Sequence, residues 1–263
     1  MDLGLTGRIA LVCGGSKGLG RAAATALAKE GAKVIIAARG QEALNQAAAD
    51  ITNLTGAEVT PVSADLSDPE QARLLARSAL SAWGRVDVLI NNAGGPPAGL
   101  FLDFSDQDWE AAIRLNFLSA VVLTRELVPG MKERRWGRVI NFTSIAVKQP
   151  IDGLILSNAV RAAVHGWAKS LSNELAAFGV TVNNVLPGYT LTERVRNLSL
   201  TLGRQRGVSP EKIIEEYEAQ IPMNRLGRPE DFGHLAAFLA SDLAGYITGA
   251  SIPIDGGYYK GLM

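Results

Sequence analysis

The sequence contains a single cysteine, Cys13, among its 263 residues. One cysteine excludes an intrachain disulfide and any cysteine-based zinc site, and we predict no metal site. No apolar run approaches the roughly 20 residues that span a bilayer, so we expect no contact with membranes. The first apolar run, Ile9 to Cys13, is too short for the core of a signal peptide. These absences predict a cytoplasmic protein.

An excess of charge of either sign is also missing, because 26 Lys and Arg residues balance 26 Asp and Glu residues. A nucleic-acid-binding protein would show a basic stripe, so we expect no nucleic-acid partner. Apolar residues are plentiful at 47% of the chain, which is enough for a large core. The length suits one α/β domain, and no Pro- or Ser-rich linker divides it. We therefore predict a single domain over residues 1–263.

Short apolar runs alternate with Ala-rich helical stretches along the chain. Runs rich in Val and Ile and followed by Gly, Asn, Pro or Ser are typical of strands buried in a parallel sheet. The alternation predicts an α/β fold, a Rossmann-type doubly wound parallel sheet of about seven strands with helices on both faces. The predicted strands are Ile9–Cys13, Lys33–Ala37, Glu58–Val62, Val86–Ile90, Arg138–Phe142 and Thr181–Leu186. The predicted helices are Leu19–Glu30, Gln41–Leu54, Pro69–Trp83, Gln107–Met131 and Leu154–Phe178.

A glycine-rich turn follows the first predicted strand and opens the first predicted helix. Glycine allows backbone to turn tightly and to approach a ligand closely, and a helix N-terminus attracts phosphate. The spacing is Gly-x3-Gly-x-Gly, and an ordinary strand–helix turn is the alternative reading. Its position between strand and helix favours a dinucleotide-binding loop. The candidate residues are Gly14, Ser16, Lys17, Gly18, Leu19 and Gly20.

Residues after the second and third predicted strands bear on the choice of cofactor. An NAD-selective site places an acidic residue after the second strand, to accept a hydrogen bond from the ribose 2′-hydroxyl. Arg39 stands there instead. Arg39 and Lys17 could neutralise a 2′-phosphate, so NADP(H) is favoured over NAD(H), although either cation could simply be solvated. Asp65 after the third strand could accept from the adenine amine, or it could cap the next helix.

Several further motifs occur in an order that resembles the short-chain dehydrogenase/reductase family. They are Asn91–Gly94 in Asn-Asn-Ala-Gly, Asn116 in Leu-Asn-Phe, Ser144 after the fifth strand, Pro187-Gly188 after the sixth, Arg225–Glu230, and Asp255-Gly256-Gly257. Together with the glycine turn they cover nearly the whole chain. The branch most similar to this sequence contains the 3-oxoacyl-acyl-carrier-protein reductases.

The resemblance implies a role for each matched position. The glycines line the cofactor pyrophosphate, and the backbone of Asn92, Ala93 and Gly94 lies near the adenosine ribose. Asn116 holds a water of a proton relay, and Ser144 hydrogen-bonds the substrate carbonyl. The nicotinamide end is held by Pro187, Gly188 and Thr192. Residues at about 193–222 form a substrate flap, in which an apolar stripe predicts a lid helix; a plain surface helix is the alternative.

Two positions depart from the family pattern. The family has a Tyr thirteen residues after the Ser and a Lys four residues further on, and this sequence has Ser157 and Arg161. A phenol has a pKa of about 10 that a neighbouring ammonium lowers towards working pH, which makes it a general acid. A serine hydroxyl is far less acidic and shorter by a ring. Arg161 keeps the positive charge and could hold the nicotinamide ribose, but it cannot release a proton.

Other groups are candidates for the missing acid. Tyr189 follows Pro187-Gly188, and Lys148 lies four residues past Ser144; each is otherwise a flap or rim residue. His165 lies one turn after Arg161, and we assign it a packing role.

Two functions lead from the sequence, ahead of a different reaction at the same site, such as dehydration or isomerisation, which no residue specifically supports. The first is an NADP(H)-dependent oxidoreductase that acts on a small-molecule carbonyl or acyl thioester, with Ser144, Asn116, Ser157 and Arg161 as candidate catalytic residues. The second is a dinucleotide-binding protein that is catalytically silent or regulatory. The helix that carries Ser157 is apolar on most sides, and the family buries it between subunits, so we expect a homodimer or homotetramer.

Overall fold

A computed structural model describes residues 1–262. Seven strands form one parallel sheet in the order β3-β2-β1-β4-β5-β6-β7, with helices on both faces, which confirms the predicted fold class. The order reverses between β1 and β4, and such a reversal opens a crevice at the carboxyl ends of the strands. The strands are β1 Ile9–Cys13, β2 Lys33–Ala38, β3 Val59–Ser63, β4 Val88–Asn91, β5 Gly137–Phe142, β6 Val180–Pro187 and β7 Ser251–Ile254.

Nine α-helices connect these strands or follow them within residues 1–262. They are α1 Gly18–Lys29, α2 Gln41–Thr55, α3 Pro69–Trp83, α4 Asp106–Ile113, α5 Ser119–Glu133, α6 Ile155–Leu175, α7 Glu193–Arg206, α8 Pro210–Gln220 and α9 Pro229–Ala240. None of the helices in the described range is long and apolar enough to cross a membrane.

The sheet has a separate apolar layer on each face. One layer joins the sheet to α1, α2 and α9, and the other joins it to α3, α5 and α6. Every residue of β1, β4 and β5 is buried, as expected for central strands covered on both faces. Because helices cover both faces of the central strands, the candidate polar site residues lie at the carboxyl ends of these strands.

The predicted helix Gln107–Met131 is wrong as one regular α-helix. The helical chain contains a π-helical stretch, Arg114–Leu118, between α4 and α5. The wider turn adds one residue to the helix and is common at functional sites. Asn116 lies at its centre, so a candidate site residue marks the irregularity.

The segment at about 193–222, called the flap below for its predicted role, differs from the single predicted lid helix, because it consists of two helices. Gly207, with φ of 67°, ends α7 in the left-handed conformation, and Ser209 caps α8 by accepting from the backbone N–H of Lys212. Arg206 on α7 donates twice to Glu216 on α8, at 2.6 and 3.0 Å. The flap is therefore a helical hairpin joined by its own ion pair.

Candidate active site

The glycine loop is built to exclude side chains. Gly14 has φ of 61°, and a Cβ there would lie 2.6 Å from the side-chain nitrogen of Asn92. A Cβ on Gly20 would collide with the carbonyl of Gly14. Asn92 donates to the carbonyl of Cys13 at 3.2 Å, which fixes the end of β4 beside this loop. The loop thus packs closely against itself and against Asn92, with no room for a side chain at Gly14 or Gly20.

The N-terminus of α1 suits an anion. Its N-cap, Lys17, makes no side-chain cap, and the first turn holds no acidic residue. The first N–H groups of the helix are therefore available, with the positive end of the helix dipole behind them. This arrangement fits the pyrophosphate of a dinucleotide, which the residues present could hold through backbone N–H groups.

The flap begins directly over this loop. The Lys17 ammonium lies 2.7 Å from the carboxylate of Glu193, the first residue of α7. Thr192 accepts from the backbone N–H of Val195 at 3.4 Å and so caps α7, and its methyl group faces Gly18. Lys17 is therefore engaged by the flap, which the sequence did not indicate.

The residues after β2 and β3 lie at the same edge. Arg39 is exposed, and no carboxylate among residues 1–262 lies within 4.0 Å of its guanidinium. Asp65 accepts from the N–H and hydroxyl of Ser67, at 3.0 and 2.8 Å, and these bonds lower the pKa of Asp65. The cap of α3 is Asp68 rather than Asp65, so the capping alternative for Asp65 is wrong.

The active-site end is centred on Ser144, which follows β5. Its hydroxyl accepts from the backbone N–H of Ala146 at 3.1 Å. Arg161 on α6 donates through one nitrogen to the carbonyls of Phe142 and Thr143, at 3.1 and 2.8 Å. Ser157 is one turn earlier on the same helix face, is 6% exposed, and its hydroxyl has no hydrogen-bond partner in the described part of the chain.

Asn116 completes this end of the cleft. Its side-chain nitrogen donates to the carbonyl of Ala112 at 3.3 Å, while its side-chain oxygen is buried and has no partner within residues 1–262. A buried acceptor without a donor costs free energy unless water or a ligand satisfies it. A small cavity lies beside Asn116, between the loop after β4 and helix α6. Its lining includes Asn92, Ala93, Asn116 and Arg161.

The nicotinamide-end candidates follow β6. Gly188 donates its N–H to the carbonyl of Ile254 at 2.9 Å, and a Cβ on Gly188 would lie 2.7 Å from that of Asp255. Pro187 ends the strand just before it. The structure thus brings Pro187-Gly188, Thr192 and the glycine loop to one edge of the sheet.

Comparison with known proteins identifies the family. A model described as Enoyl-(Acyl carrier protein) reductase matches residues 14–259. The chain belongs to the short-chain dehydrogenase/reductase family. It is 34% identical to a 3-oxoacyl-[acyl-carrier-protein] reductase of Aquifex aeolicus, over 98% of this chain and all of that one. It is 31% identical to an acetoacetyl-CoA reductase of Cupriavidus necator, over 98% of this chain and all of the relative.

A solved structure supports the same assignment. L-Sorbose reductase from Gluconobacter frateurii, complexed with NADPH and L-sorbose, superposes with a TM-score of 0.95 at 32% identity, over the whole of both chains. These relatives are reductases, and the chain is an oxidoreductase of the short-chain dehydrogenase/reductase type.

The sequence analysis included Asn91, which the family resemblance assigns to support of the central sheet, but it missed the partners of that residue. A row of asparagines crosses the sheet: Asn91 donates to Asn141 at 2.9 Å, and Asn141 donates to Asn184 at 3.0 Å. Asn184 donates to the hydroxyl of Ser251 at 3.2 Å. The signal was present, because Asn141 and Asn184 are polar residues within apolar strand runs and buried polar groups need partners.

His165 extends this row to the residue before Ser144. Its ring nitrogens lie 3.1 Å from the hydroxyl of Ser251 and 3.1 Å from that of Thr143. Burial, and then the charge of Lys148, lower the pKa of His165 to about 4. A neutral ring that joins α6, β5 and β7 agrees with the packing role assigned to it.

The two candidate substitute acids have different surroundings. Tyr189 stacks on Tyr217 with ring centroids 4.3 Å apart and meets Tyr258 edge-on at 5.4 Å. Burial raises the pKa of Tyr189, which makes it a weaker acid than a free phenol. The Lys148 ammonium lies 5.3 Å from the ring centroid of Tyr259. Tyr189 thus packs against two other tyrosine rings, and Lys148 lies over the ring of Tyr259.

Proposed function

We propose that this protein is an NADP(H)-dependent oxidoreductase of the 3-oxoacyl reductase type, with an altered proton donor. The observation that carries the proposal is the position of Arg161, whose guanidinium donates to Thr143 at 2.8 Å, one residue before Ser144. It keeps a positive charge at the place where the family has Lys. Ser157, one turn earlier, stands where the family has Tyr.

The proposed cofactor site uses the glycine loop, the N-terminus of α1, and the residues after β2 to β4. Bound NADPH would supply the hydride for a substrate carbonyl. The N–H groups at the start of α1 would hold the pyrophosphate. Arg39, exposed and without a carboxylate partner in the described chain, would bind the 2′-phosphate, and the matched L-sorbose reductase was solved with NADPH.

The chain's own residues would then position the carbonyl, and water in the cleft would supply the proton that the developing alkoxide takes up. Ser144 would donate to the carbonyl oxygen, and Arg161 would bind the nicotinamide ribose through its remaining N–H groups. The unpaired oxygen of Asn116 would accept from a relay water. Ser157 is too weak an acid and too short to protonate the developing alkoxide as a phenol does. The reduction would therefore be slower than in a family member with the phenol, by the factor of about 100 to 10,000 that general acid catalysis supplies.

A steady-state assay tests this function. The protein with NADPH would be offered a panel of small ketones and 3-oxoacyl thioesters, and NADPH oxidation would be followed against a cofactor-only control. We expect slow turnover that Ser144→Ala abolishes. Quenching of protein fluorescence by NADPH, with no oxidation for any ketone or thioester, would instead indicate the catalytically silent dinucleotide-binding protein.

We also propose that the protein works as a homo-oligomer built on α5 and α6. An open groove between these helices is lined by apolar side chains that include Val121, Val128, Trp167 and Leu171. Val121, Trp167 and Leu171 are half-buried, so each keeps apolar surface open in the groove, and contiguous apolar surface typically marks an interface. Light scattering coupled to size exclusion should give a dimer or tetramer, and Leu171→Glu should shift it towards the monomer.

A further inference from the structure

Three polar residues of α6 form a row along one face of the helix. Ser157, Arg161 and His165 follow one another at intervals of four residues, so their side chains lie one turn apart on the same face. Ser157 and Arg161 stand where the family has its donor pair. His165 joins this face to the sheet at two places, because its ring nitrogens lie 3.1 Å from the hydroxyls of Thr143, after β5, and Ser251, in β7.

The hydrogen bonds around the ring decide which nitrogen carries its proton. The Thr143 hydroxyl donates to the carbonyl of Val185 at 3.3 Å, so towards the ring it can only accept. Nε2 of His165 is therefore the N–H that donates to Thr143. A neutral imidazole has one N–H, which leaves Nδ1 to accept from the hydroxyl of Ser251. Burial lowers the pKa of His165 to about 4, so the ring is neutral at physiological pH.

The asparagine row continues in the same direction. Asn91 donates to Asn141, and Asn141 donates to Asn184. Asn184 then donates to the hydroxyl of Ser251, which donates to His165. One directed hydrogen-bond chain thus crosses β4, β5, β6 and β7 and returns through α6 to the end of β5. Aligned hydrogen bonds in a buried environment strengthen one another and hold their members in one arrangement.

Thr143 receives this hydrogen-bond chain directly beside Ser144. The N–H of Thr143 donates to the carbonyl of Val185 at 2.9 Å, and its carbonyl accepts from Arg161 at 2.8 Å. With the bond from His165 to its hydroxyl, every polar group of Thr143 has a partner. The direction of the carbonyl that Arg161 binds is therefore held from the far side by His165.

We propose that His165 is a positioning residue of the active site, which sets the rotation of α6 and the placement of Thr143 so that Ser144 and Arg161 can meet their ligands. A packing role would need only the volume of the ring. Positioning needs both of its hydrogen bonds, in the direction derived above. This inference rests on the proposed function for the roles of Ser144 and Arg161.

Nitrogen NMR tests the direction of the hydrogen-bond chain without any ligand. The protein has two histidines, and the other, His234, is exposed on α9, so the two signals can be assigned with His234→Gln. At neutral pH we expect His165 to be one tautomer, with its proton on Nε2. Thr143→Val removes the hydroxyl and should move the proton to Nδ1, towards Ser251. A proton on Nδ1 in the parent protein would overturn the proposal.

Substitutions of His165 separate positioning from packing. His165→Leu fills space without hydrogen bonds, whereas His165→Gln can donate to Thr143 and accept from Ser251 through its amide. His165→Leu should lower kcat with ketones about 10- to 100-fold and change KM less than about threefold, because a displacement of about 1 Å has a cost of this order. It should also weaken NADPH binding about tenfold, through loss of a charged hydrogen bond from Arg161. His165→Gln should recover most of both losses.

The control is His234→Gln, which should change neither kcat nor NADPH affinity. If His165→Leu and His165→Gln both match the parent, or both lose kcat and NADPH affinity equally, the hydrogen bonds of the ring have no positioning role and the proposal is overturned. Melting temperatures show that each variant is folded; should His165→Leu not fold, the tautomer of the parent and its change in Thr143→Val decide. A parent that reduces no ketone would count against the proposed function alone, because the tautomer and the NADPH affinities still test the role of His165.

Discussion

Glu193 holds Lys17 across the mouth of the cofactor cleft, with 2.7 Å between carboxylate and ammonium, although the two residues are 176 positions apart in sequence. Lys17 belongs to the loop that opens α1, and Glu193 begins the flap. The pair therefore joins the cofactor loop to the flap. The ion pair also engages Lys17, one of the two cations that the sequence suggests for binding the 2′-phosphate of NADP(H).

Releasing Lys17 should strengthen NADPH binding. In Glu193→Gln the ammonium no longer has a carboxylate partner and is free to bind the 2′-phosphate. Exposed ion pairs are worth about 0.2–1 kcal/mol, so the dissociation constant for NADPH should fall by up to about fivefold. Fluorescence titration with NADPH and NADH measures this effect.

The matched control for that change is Glu211→Gln, which removes an exposed carboxylate from α8 that has no ion pair in the described chain. It should leave both affinities unchanged. Equal gains for NADH and NADPH in Glu193→Gln would mean that the pair restrains the flap and does not compete for the 2′-phosphate.

Restoring the family's donor pair should raise the reductase rate. In the double variant Ser157→Tyr with Arg161→Lys, a phenol lies one turn before an ammonium on α6, and the proton can be transferred directly. General acid catalysis predicts a gain of about 100- to 10,000-fold in kcat with ketones. Either single change should give much less, because the phenol needs the ammonium to lower its pKa.

That experiment also probes the substrate pocket. If the double variant binds NADPH as the parent does and stays inactive on every ketone and thioester, loss of the phenol does not limit the rate. The pocket around Ser144 would then have diverged as well.

Tyr189 should not act as a replacement acid. Burial raises its pKa, and its ring is stacked on Tyr217, so the hydroxyl is a poor proton donor at neutral pH. Tyr189→Phe keeps the stacking and should change kcat by less than about threefold. A loss of about 100-fold or more, the smaller end of a general acid's contribution, would assign the proton to Tyr189 after all.

Stability should fall between about pH 6.5 and pH 4 because of His165. Its pKa is near 6.5 in an unfolded chain and about 4 in the folded protein, so the unfolded state binds the proton first. The neutral ring's full contribution is present above pH 6.5 and declines as the pH falls to 4. Urea unfolding at intervals between pH 7.5 and pH 4.5 measures the slope.

The variant His165→Gln removes the titrating ring while keeping hydrogen-bonding capacity towards Thr143 and Ser251. It should be less stable at pH 7.5 and should lose less stability on acidification than the parent. If the free energy of unfolding falls equally with pH in the two proteins, the acid sensitivity belongs to other groups.

The variant Gly14→Ala should bind the dinucleotide markedly more weakly than the parent protein. Its Cβ would displace the Asn92 side chain, and φ of 61° adds strain of about 1–2 kcal/mol for any L-residue. Gly56→Ala provides the control, because Gly56 has φ of 72° and nothing within 4 Å of the new Cβ. Both variants should be destabilised, but only Gly14→Ala should lose more than about tenfold in NADPH affinity. Equal affinities would show that the loop does not line the cofactor.

Local patterns in the sequence determined the parallel sheet, the glycine loop and the positions of Ser144, Ser157 and Arg161. Such features depend on neighbours along the chain: apolar runs that suit buried strands, glycine where backbone turns, and side chains one helical turn apart. The family order of motifs then specified which strand ends face the cleft. Boundaries were less well determined, as the π-helical turn at Asn116 and the two-helix flap show.

Only the tertiary structure decided which charges meet. Lys17 pairs with Glu193, and Asn91, Asn141 and Asn184 join three strands, although none of these partners is near the other in sequence. Those meetings depend on how the flap crosses the carboxyl edge of the sheet and on the register of β4, β5 and β6. No periodicity along the chain encodes the path of the flap or the strand register, because each arises when separate elements pack against one another.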